Sequence, residues 1–153
     1  GTAYAKAQLA AGNRLPNTGT AFISVNNEDK GSVLPIARDL AGLGFSLLGT
    51  HGTAAYLRAH DLKVELVYKV NEGRPHIGDR LLNREIDLVI NTPLGRESFF
   101  DDRTLRRIAT VLCLPCVTTL TGAAATVSAI RALREETLDV RPLQDYHAAP
   151  ART

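Results

Sequence analysis

Leu48-Gly49-Thr50-His51-Gly52-Thr53-Ala54 joins two kinds of sequence. Before it, Phe45 to Leu48 is an apolar run short enough for a buried strand. After it, Ala54 to Arg58 has the composition of the first turns of a helix. A strand that passes into a helix through glycines and threonines collects free backbone N–H groups and hydroxyls at one spot. Such a spot suits an anion, most often a phosphate. The turn therefore predicts a strand–turn–helix unit and the place where the charged end of a ligand would bind.

The same order repeats on both sides of it. Upstream, Thr20 to Val25 reads as a first strand, Asn26 to Gly31 as a turn, and Ser32 to Leu43 as a helix. That helix carries Val33, Ile36, Ala37 and Leu40 at helical spacing, tolerates Pro35 in its first turn, and ends at Gly42 and Gly44. Downstream, Thr53 to Ala59 is a helix, Val64 to Val67 a third strand, and Asn71 to Gly78 a loop. Ile77 to Asn83 reads as a short helix, Ile86 to Ile90 as a fourth strand and Thr92 to Phe100 as a loop. Asp101 and Asp102 read as the cap of a helix reaching Leu112, with Leu105, Ile108, Ala109 and Leu112 inward and arginines outward. Cys116 to Thr119 reads as a fifth strand and Thr121 to Glu136 as a long alanine-rich helix. The tail, Leu138 to Thr153, offers one further strand at Asp139 to Arg141. Strands and helices alternate, and the strands are apolar on both faces. That pattern predicts a three-layer α/β fold, a five-stranded parallel sheet with helices on both sides and right-handed crossovers.

The chain has 153 residues, enough for one domain burying roughly two-thirds of its unfolded surface. At 44% apolar and 22% charged residues it is globular. Its 18 Lys and Arg face 16 Asp and Glu, for a net charge of +2, with no dense basic cluster. With no Trp, four Phe and four Tyr it lacks a stacking platform for single strands, so no nucleic-acid partner is expected. No apolar run approaches the ~20 residues of a membrane span, and no signal peptide opens the chain. The expectation is a cytoplasmic protein without a membrane partner. The chain has no Met and begins with Gly1, which predicts a piece of something longer. Residues 1–18, with helical composition over Ala3 to Ala11 and a loop to Gly19, read as the tail of a preceding domain and linker. Residues 19–147 read as the domain and 148–153 as a terminal tail.

The cysteines, Cys113 and Cys116, form Cys-Leu-Pro-Cys. A redox pair normally sits where a strand enters a helix, which lowers the thiol pKa. Here a helix precedes the pair and a strand follows, so buried structural thiols are expected. No zinc-finger spacing of further ligands is present, and no metal site is predicted.

In a parallel sheet ligands bind beyond the carboxyl ends of the strands. The residues there are Ser24, Asn26, Asn27 and Lys30 after strand one, and Thr50 to Thr53 after strand two. Lys69, Glu72, Gly73, Arg74 and His76 follow strand three, Asn91 and Thr92 strand four, and Thr118, Thr119 and Thr121 strand five. Two lysines, an arginine, asparagines and hydroxyls facing few acids suit an anionic, hydroxyl-bearing small molecule such as a nucleoside monophosphate or sugar phosphate. Each residue also has a plainer role. Thr50 and Thr53 fit helix caps, His51 fits packing against the sheet, and Lys30 and Lys69 fit solvated surface charges. Ser24 fits a polar strand end, Glu72 and Arg74 fit a pair with each other, and Asn91 fits a turn. His60 and His147 read as surface residues. Arg103, Arg106, Arg107, Arg131 and Arg134 read as solvated helix faces or contacts to a neighbouring domain. For catalysis, His76, Asp79 and Glu72 are the only grouped acid/base candidates, without a Ser-His-Asp order or a metal-spaced cluster.

Leu48 to Ala54 (L-G-T-H-G-T-A), Lys69 to Asp79 (K-V-N-E-G-R-P-H-I-G-D) and Ile90 to Thr92 (I-N-T) occur in that order. Tyr4 to Leu9 (Y-A-K-A-Q-L) precedes them and Thr118 to Ala125 (T-T-L-T-G-A-A-A) follows. Together they resemble the C-terminal, methylglyoxal-synthase-like regulatory domain of the carbamoyl phosphate synthetase large chain, from about residue 3 to residue 147. The resemblance implies allosteric binding of UMP and IMP, and control by ornithine. By position it places Lys30, Thr50, Thr53 and Lys69 at the nucleotide phosphate, with Ser24, His51, Gly52, Asn91 and Thr92 around it and Thr118 near the ornithine region. It implies no catalytic residue and no cofactor in this domain. ATP, Mg or Mn and K belong to the full-length ligase, which makes carbamoyl phosphate from bicarbonate, ammonia and ATP. Implied partners are the rest of the large chain and a glutaminase small chain, with a homo-oligomer as a further possibility. Two positions depart from the pattern. Pro93 stands where a threonine hydroxyl and N–H are usual, and Val117 where an acid is usual. Methylglyoxal synthase itself is the rival reading, but Arg74 stands in the loop where that lyase carries its catalytic aspartate, and a cation there cannot abstract a proton. A docking domain that has lost its ligand is the third reading.

Overall fold

A computed structural model describes residues 1–92, 99–135 and 144. Its elements run α1 (Thr2–Ala10), β1 (Thr20–Val25), α2 (Lys30–Gly42), β2 (Ser46–Gly49), α3 (His51–Arg58), β3 (Val64–Leu66) and α4 (Ile77–Leu82). They continue with β4 (Leu88–Thr92), α5 (Phe99–Val111), β5 (Cys116–Val117) and α6 (Leu120–Glu135). The five strands form one sheet in the order β3-β2-β1-β4-β5, and every pairing is parallel. Two apolar layers cover it. Ala21, Ile23, Leu47, Leu88 and Ile90 pack with α2, α3 and α6, while Phe22, Leu48 and Val89 pack with Ile77, Leu81 and Leu105 of α4 and α5. Alternate residues of β1 and β4 thus enter opposite layers, as a sheet buried on both faces requires. The predicted three-layer α/β fold is the observed one.

Element boundaries differ from the sequence reading in ways that matter for the site. Helix α2 begins at Lys30 rather than Ser32, and α3 at His51 rather than Thr53. Strand β4 runs to Thr92, because Asn91 and Thr92 pair with Ser24 and Val25; both are buried strand residues. Its start moves to Leu88. Asp87 precedes it, its carboxylate accepting the Thr20 N–H at 2.7 Å and its own N–H donating to the Thr20 carbonyl at 2.9 Å. Helix α5 begins at Phe99, so Asp101 and Asp102 belong to its first turn instead of capping it. Strand β5 is only Cys116–Val117. Pro93, Asp139 to Arg141, His147 and the boundary at residue 147 lie outside the described residues.

Two further expectations are corrected. Cys113 is exposed and Cys116 only half-buried, so they are not a buried pair. Cys113 ends α5 in the left-handed region (φ 54°), while the Leu114 N–H closes the helix by donating to the Ala109 carbonyl at 2.8 Å. Arg131 and Arg134 are not simply solvated. Arg131 pairs with Asp39 at 3.2 Å, while the Arg134 guanidinium lies 6.0 Å from the Phe45 ring centroid and donates to the Asn17 carbonyl. Helix α1 packs on α6, with Ala5 fully buried and Thr126 Oγ1 3.4 Å from the Tyr4 hydroxyl. Among the described residues no helix is long and apolar enough to cross a membrane.

Candidate functional site

Gly49 ends β2 where α3 turns back over the sheet. A Cβ at Gly49 would stand 3.1 Å from the Ala54 nitrogen and 3.3 Å from its Cα. These are backbone atoms and cannot step aside cheaply, so a glycine allows the helix to start this close to the strand. Thr50 is the N-cap residue of α3, in extended conformation, yet its side chain makes no capping bond. Its hydroxyl instead lies 3.4 Å from Ser24 Oγ and 3.4 Å from Thr53 Oγ1. Thr53 Oγ1 in turn accepts the Val25 N–H at 3.2 Å. The hydroxyls of Ser24, Thr50 and Thr53 therefore form one chain across the ends of β1 and β2. The helix-cap role read for Thr50 is not the one it has. The first-turn N–H groups of α3 receive no oxygen from the N-cap side chain and keep their capacity to hold an anion.

Lys30 comes to the same place from α2. A Cβ added to Gly52 would be 3.2 Å from the Lys30 ammonium, so the ammonium rests against the first turn of α3. Two positive ends face each other there, an arrangement that helix dipoles disfavour unless an anion lies between them. His51, the first residue of α3, is exposed and does not pack against the sheet.

Asn91 and Thr92 end β4 beside Ser24 and Val25. The Asn26 N–H and Nδ2 both donate to the Thr92 carbonyl, at 3.2 and 3.3 Å, tying the end of β1 to the end of β4. The Thr92 hydroxyl is buried and, among the described residues, has no hydrogen-bond partner. An unsatisfied buried hydroxyl costs about 1–3 kcal/mol. Thr92→Val, which keeps the shape and removes the hydroxyl, should raise the unfolding free energy by about that amount. A thermal melt checks this; an unchanged midpoint would mean that the hydroxyl is satisfied in solution.

The remaining candidates lie further out. Lys69 follows β3 at one edge of the sheet and Thr118 follows β5 at the other, exposed. The Lys69 N–H donates to Glu72 Oε2 at 3.0 Å, so Glu72 holds its own turn instead of pairing with Arg74. No hydrogen bond among the described residues joins the Lys69 ammonium to Thr50, Thr53 or Lys30. Arg74 approaches Asp79 at 3.8 Å. His76 and Asp79 form a capping box at the start of α4. Each backbone N–H donates to the other's side chain, Asp79 N to His76 Nδ1 and His76 N to Asp79 Oδ2, both at 3.1 Å. The grouping read as an acid/base pair thus has a structural task. No cluster of three His, Cys, Asp or Glu that could hold a metal occurs among the described residues. Asn26 and Asp29 join the site as a bonded pair, Asn26 Nδ2 donating to Asp29 Oδ2 at 2.7 Å and the Asp29 N–H donating to Asn26 Oδ1 at 3.0 Å. Their Asn-x-x-Asp spacing before a helix is the signal of a side-chain-closed turn.

The strand order reverses between β1 and β4, and the polar groups gather beside that point, at the carboxyl ends of β1, β2 and β4. This is a doubly wound α/β domain whose polar groups gather at its topological switch point, where ligands of such sheets bind. More particularly, the chain belongs to the MGS-like domain family, which matches residues 32–118. It is 47% identical, over 95% of its length, to the carbamoyl phosphate synthase large chain of Nostoc sp. (strain PCC 7120), of which it spans 13%. It is 49% identical, over 96% of its length, to the C-terminal section of that large chain from Methanopyrus kandleri, of which it spans 27%. The chain thus spans only a small part of these curated relatives. Among solved structures it resembles methylglyoxal synthase from Elizabethkingia anophelis, with a TM-score of 0.56 and 17% identity over 90% of this chain and 95% of that one. That likeness is one of fold.

Proposed function

We propose that this domain is the allosteric nucleotide sensor of a carbamoyl phosphate synthase large chain, binding nucleoside monophosphates such as UMP and IMP in the β1–β2–β4 crevice. The observation that carries the reading is the Lys30 ammonium resting against the uncapped first turn of α3, beside the Ser24–Thr50–Thr53 hydroxyls. A phosphate between them would offset both positive ends and accept from hydroxyls and amides. Lys69 would add charge from the β3 side, and Asn91 and Thr92 would meet the ribose or ring. Ornithine would act near Thr118. The domain itself is read as non-catalytic, since Arg74 stands in the loop where the lyase carries its acid. The rest of the large chain and the glutaminase small chain are its proposed partners. An effector regulates only through a difference in affinity between two states of the whole enzyme, typically about 1–3 kcal/mol.

Calorimetry with UMP, IMP and ornithine tests the reading. Saturable binding of at least one nucleotide is the expected result. A folded sample that binds neither nucleotide would replace it with the docking role. Incubation with dihydroxyacetone phosphate should yield no methylglyoxal above background; production of it would restore the lyase reading.

A further inference from the structure

We infer that Asn26 is the positioning residue of this site, setting the Lys30 ammonium against the first turn of α3. The inference rests on the nucleotide reading above and deepens it. Asn26 is the first residue beyond β1, and every polar atom of its side chain is engaged. Oδ1 accepts the Asp29 N–H at 3.0 Å. Nδ2 donates to Asp29 Oδ2 at 2.7 Å and to the Thr92 carbonyl at 3.3 Å. The backbone N–H reaches the same carbonyl at 3.2 Å. One side chain therefore links three things: the end of β1, the end of β4 across the switch point, and Asp29, the N-cap residue of α2.

Lys30 is the next residue, and its place is set by where α2 begins. Asp29 makes no side-chain capping bond to α2. Its carboxylate is held by the Asn26 amide instead. That bond keeps the Asp29 carboxylate turned to Asn26, where it does not compete with an anion for Lys30. Without the Asn26 amide, the turn before α2 loses its closure and Asp29 is left to pair with the neighbouring ammonium. Both changes weaken the hold of Lys30 on a phosphate while leaving the Ser24–Thr50–Thr53 hydroxyls in place. Asn26 is thus a positioning residue that acts through Lys30.

The experiment is a double-mutant cycle on this chain, read by calorimetry with UMP and IMP for wild type, Asn26→Ala, Lys30→Gln and the double variant. Melting temperatures are measured on the same samples. Asn26→Ala should weaken nucleotide binding by about 10-fold, the equivalent of losing one or two net hydrogen bonds. In the Lys30→Gln background the same change should add less than about 2-fold, because the group it positions is gone. Full additivity of the two losses would overturn the inference, since a merely structural turn would weaken binding whatever stands at position 30. Unchanged affinity in Asn26→Ala, with wild type binding, would overturn it while leaving the nucleotide reading intact. A folded wild type that binds neither nucleotide would overturn both. Should Asn26→Ala not fold, Asn26→Ser, which retains an acceptor for the Asp29 N–H, goes through the same cycle with the same criteria.

Discussion

Lys30→Glu should abolish nucleotide binding while leaving the domain folded. The substitution removes a charge-assisted contact and places a carboxylate where the phosphate would sit. Contacts to charged groups contribute about 1.5–3 kcal/mol each, so loss and reversal together should exceed about 3 kcal/mol, or more than about 100-fold in affinity. Stability should move the other way. Position 30 opens α2 and its side chain rests against the first turn of α3. A carboxylate there complements both helix N-termini, worth about 0.3–1 kcal/mol at each. The variant should therefore melt at or above the wild-type temperature and bind neither UMP nor IMP. Calorimetry beside a thermal melt separates the two effects. Wild-type affinity in Lys30→Glu would place the phosphate elsewhere.

Leu57→Ala should be the most damaging single truncation for the helix that carries the site. Leu57 is fully buried and belongs to the apolar layer that contains Ala54, Leu47 and Val64. Only eight residues, His51–Arg58, form α3, and an isolated helix of that length does not persist in water. Its order depends on Ala54 and Leu57 filling the layer under it. Removing the Leu57 side chain should cost about 2–5 kcal/mol, or roughly 5–15 °C in melting temperature at this size. Because α3 presents the amides and Thr53, UMP binding should weaken as well. Saturating UMP should recover part of the stability, about 2.7 kcal/mol at a hundredfold excess over its dissociation constant. A loss below about 1 kcal/mol would show that α3 is held by something other than this leucine.

Much of the fold was legible because its signals are local and strong. The runs at Thr20 to Val25 and Phe45 to Leu48 are short, apolar and bounded by turn residues, which favours strands, and the spacing of Val33, Ile36, Ala37 and Leu40 is helical. Element ends were less legible. Asn91 and Thr92 read as loop residues because they are polar. They become strand because Ser24 and Val25 offer them a parallel ladder, a fact of pairing across 67 residues. The start of α2 moved to Lys30 because Asn26 and Asp29 close a turn, which moved a lysine from a loop to a helix N-terminus. His76 and Asp79 looked like acid and base because three-residue spacing serves a capping box and a catalytic pair equally well. Only the hydrogen bonds tell them apart.

The sequence alone settled the alternation of strands and helices and the parallel sheet that alternation requires, and it placed a strand-to-helix turn at Gly49 to Thr53. Backbone chemistry explains this, since a strand entering a helix through glycine and threonine exposes the same N–H groups wherever the chain lies. The tertiary structure decided which side chains share that corner. Bringing β1 between β2 and β4 set Lys30 against Gly52, joined Ser24 to Thr50 and Thr53, and bound Asn26 to Thr92. It also sent Lys69 and Thr118 to opposite edges of the sheet. None of those distances is encoded in spacing, because each depends on how residues far apart in sequence are packed.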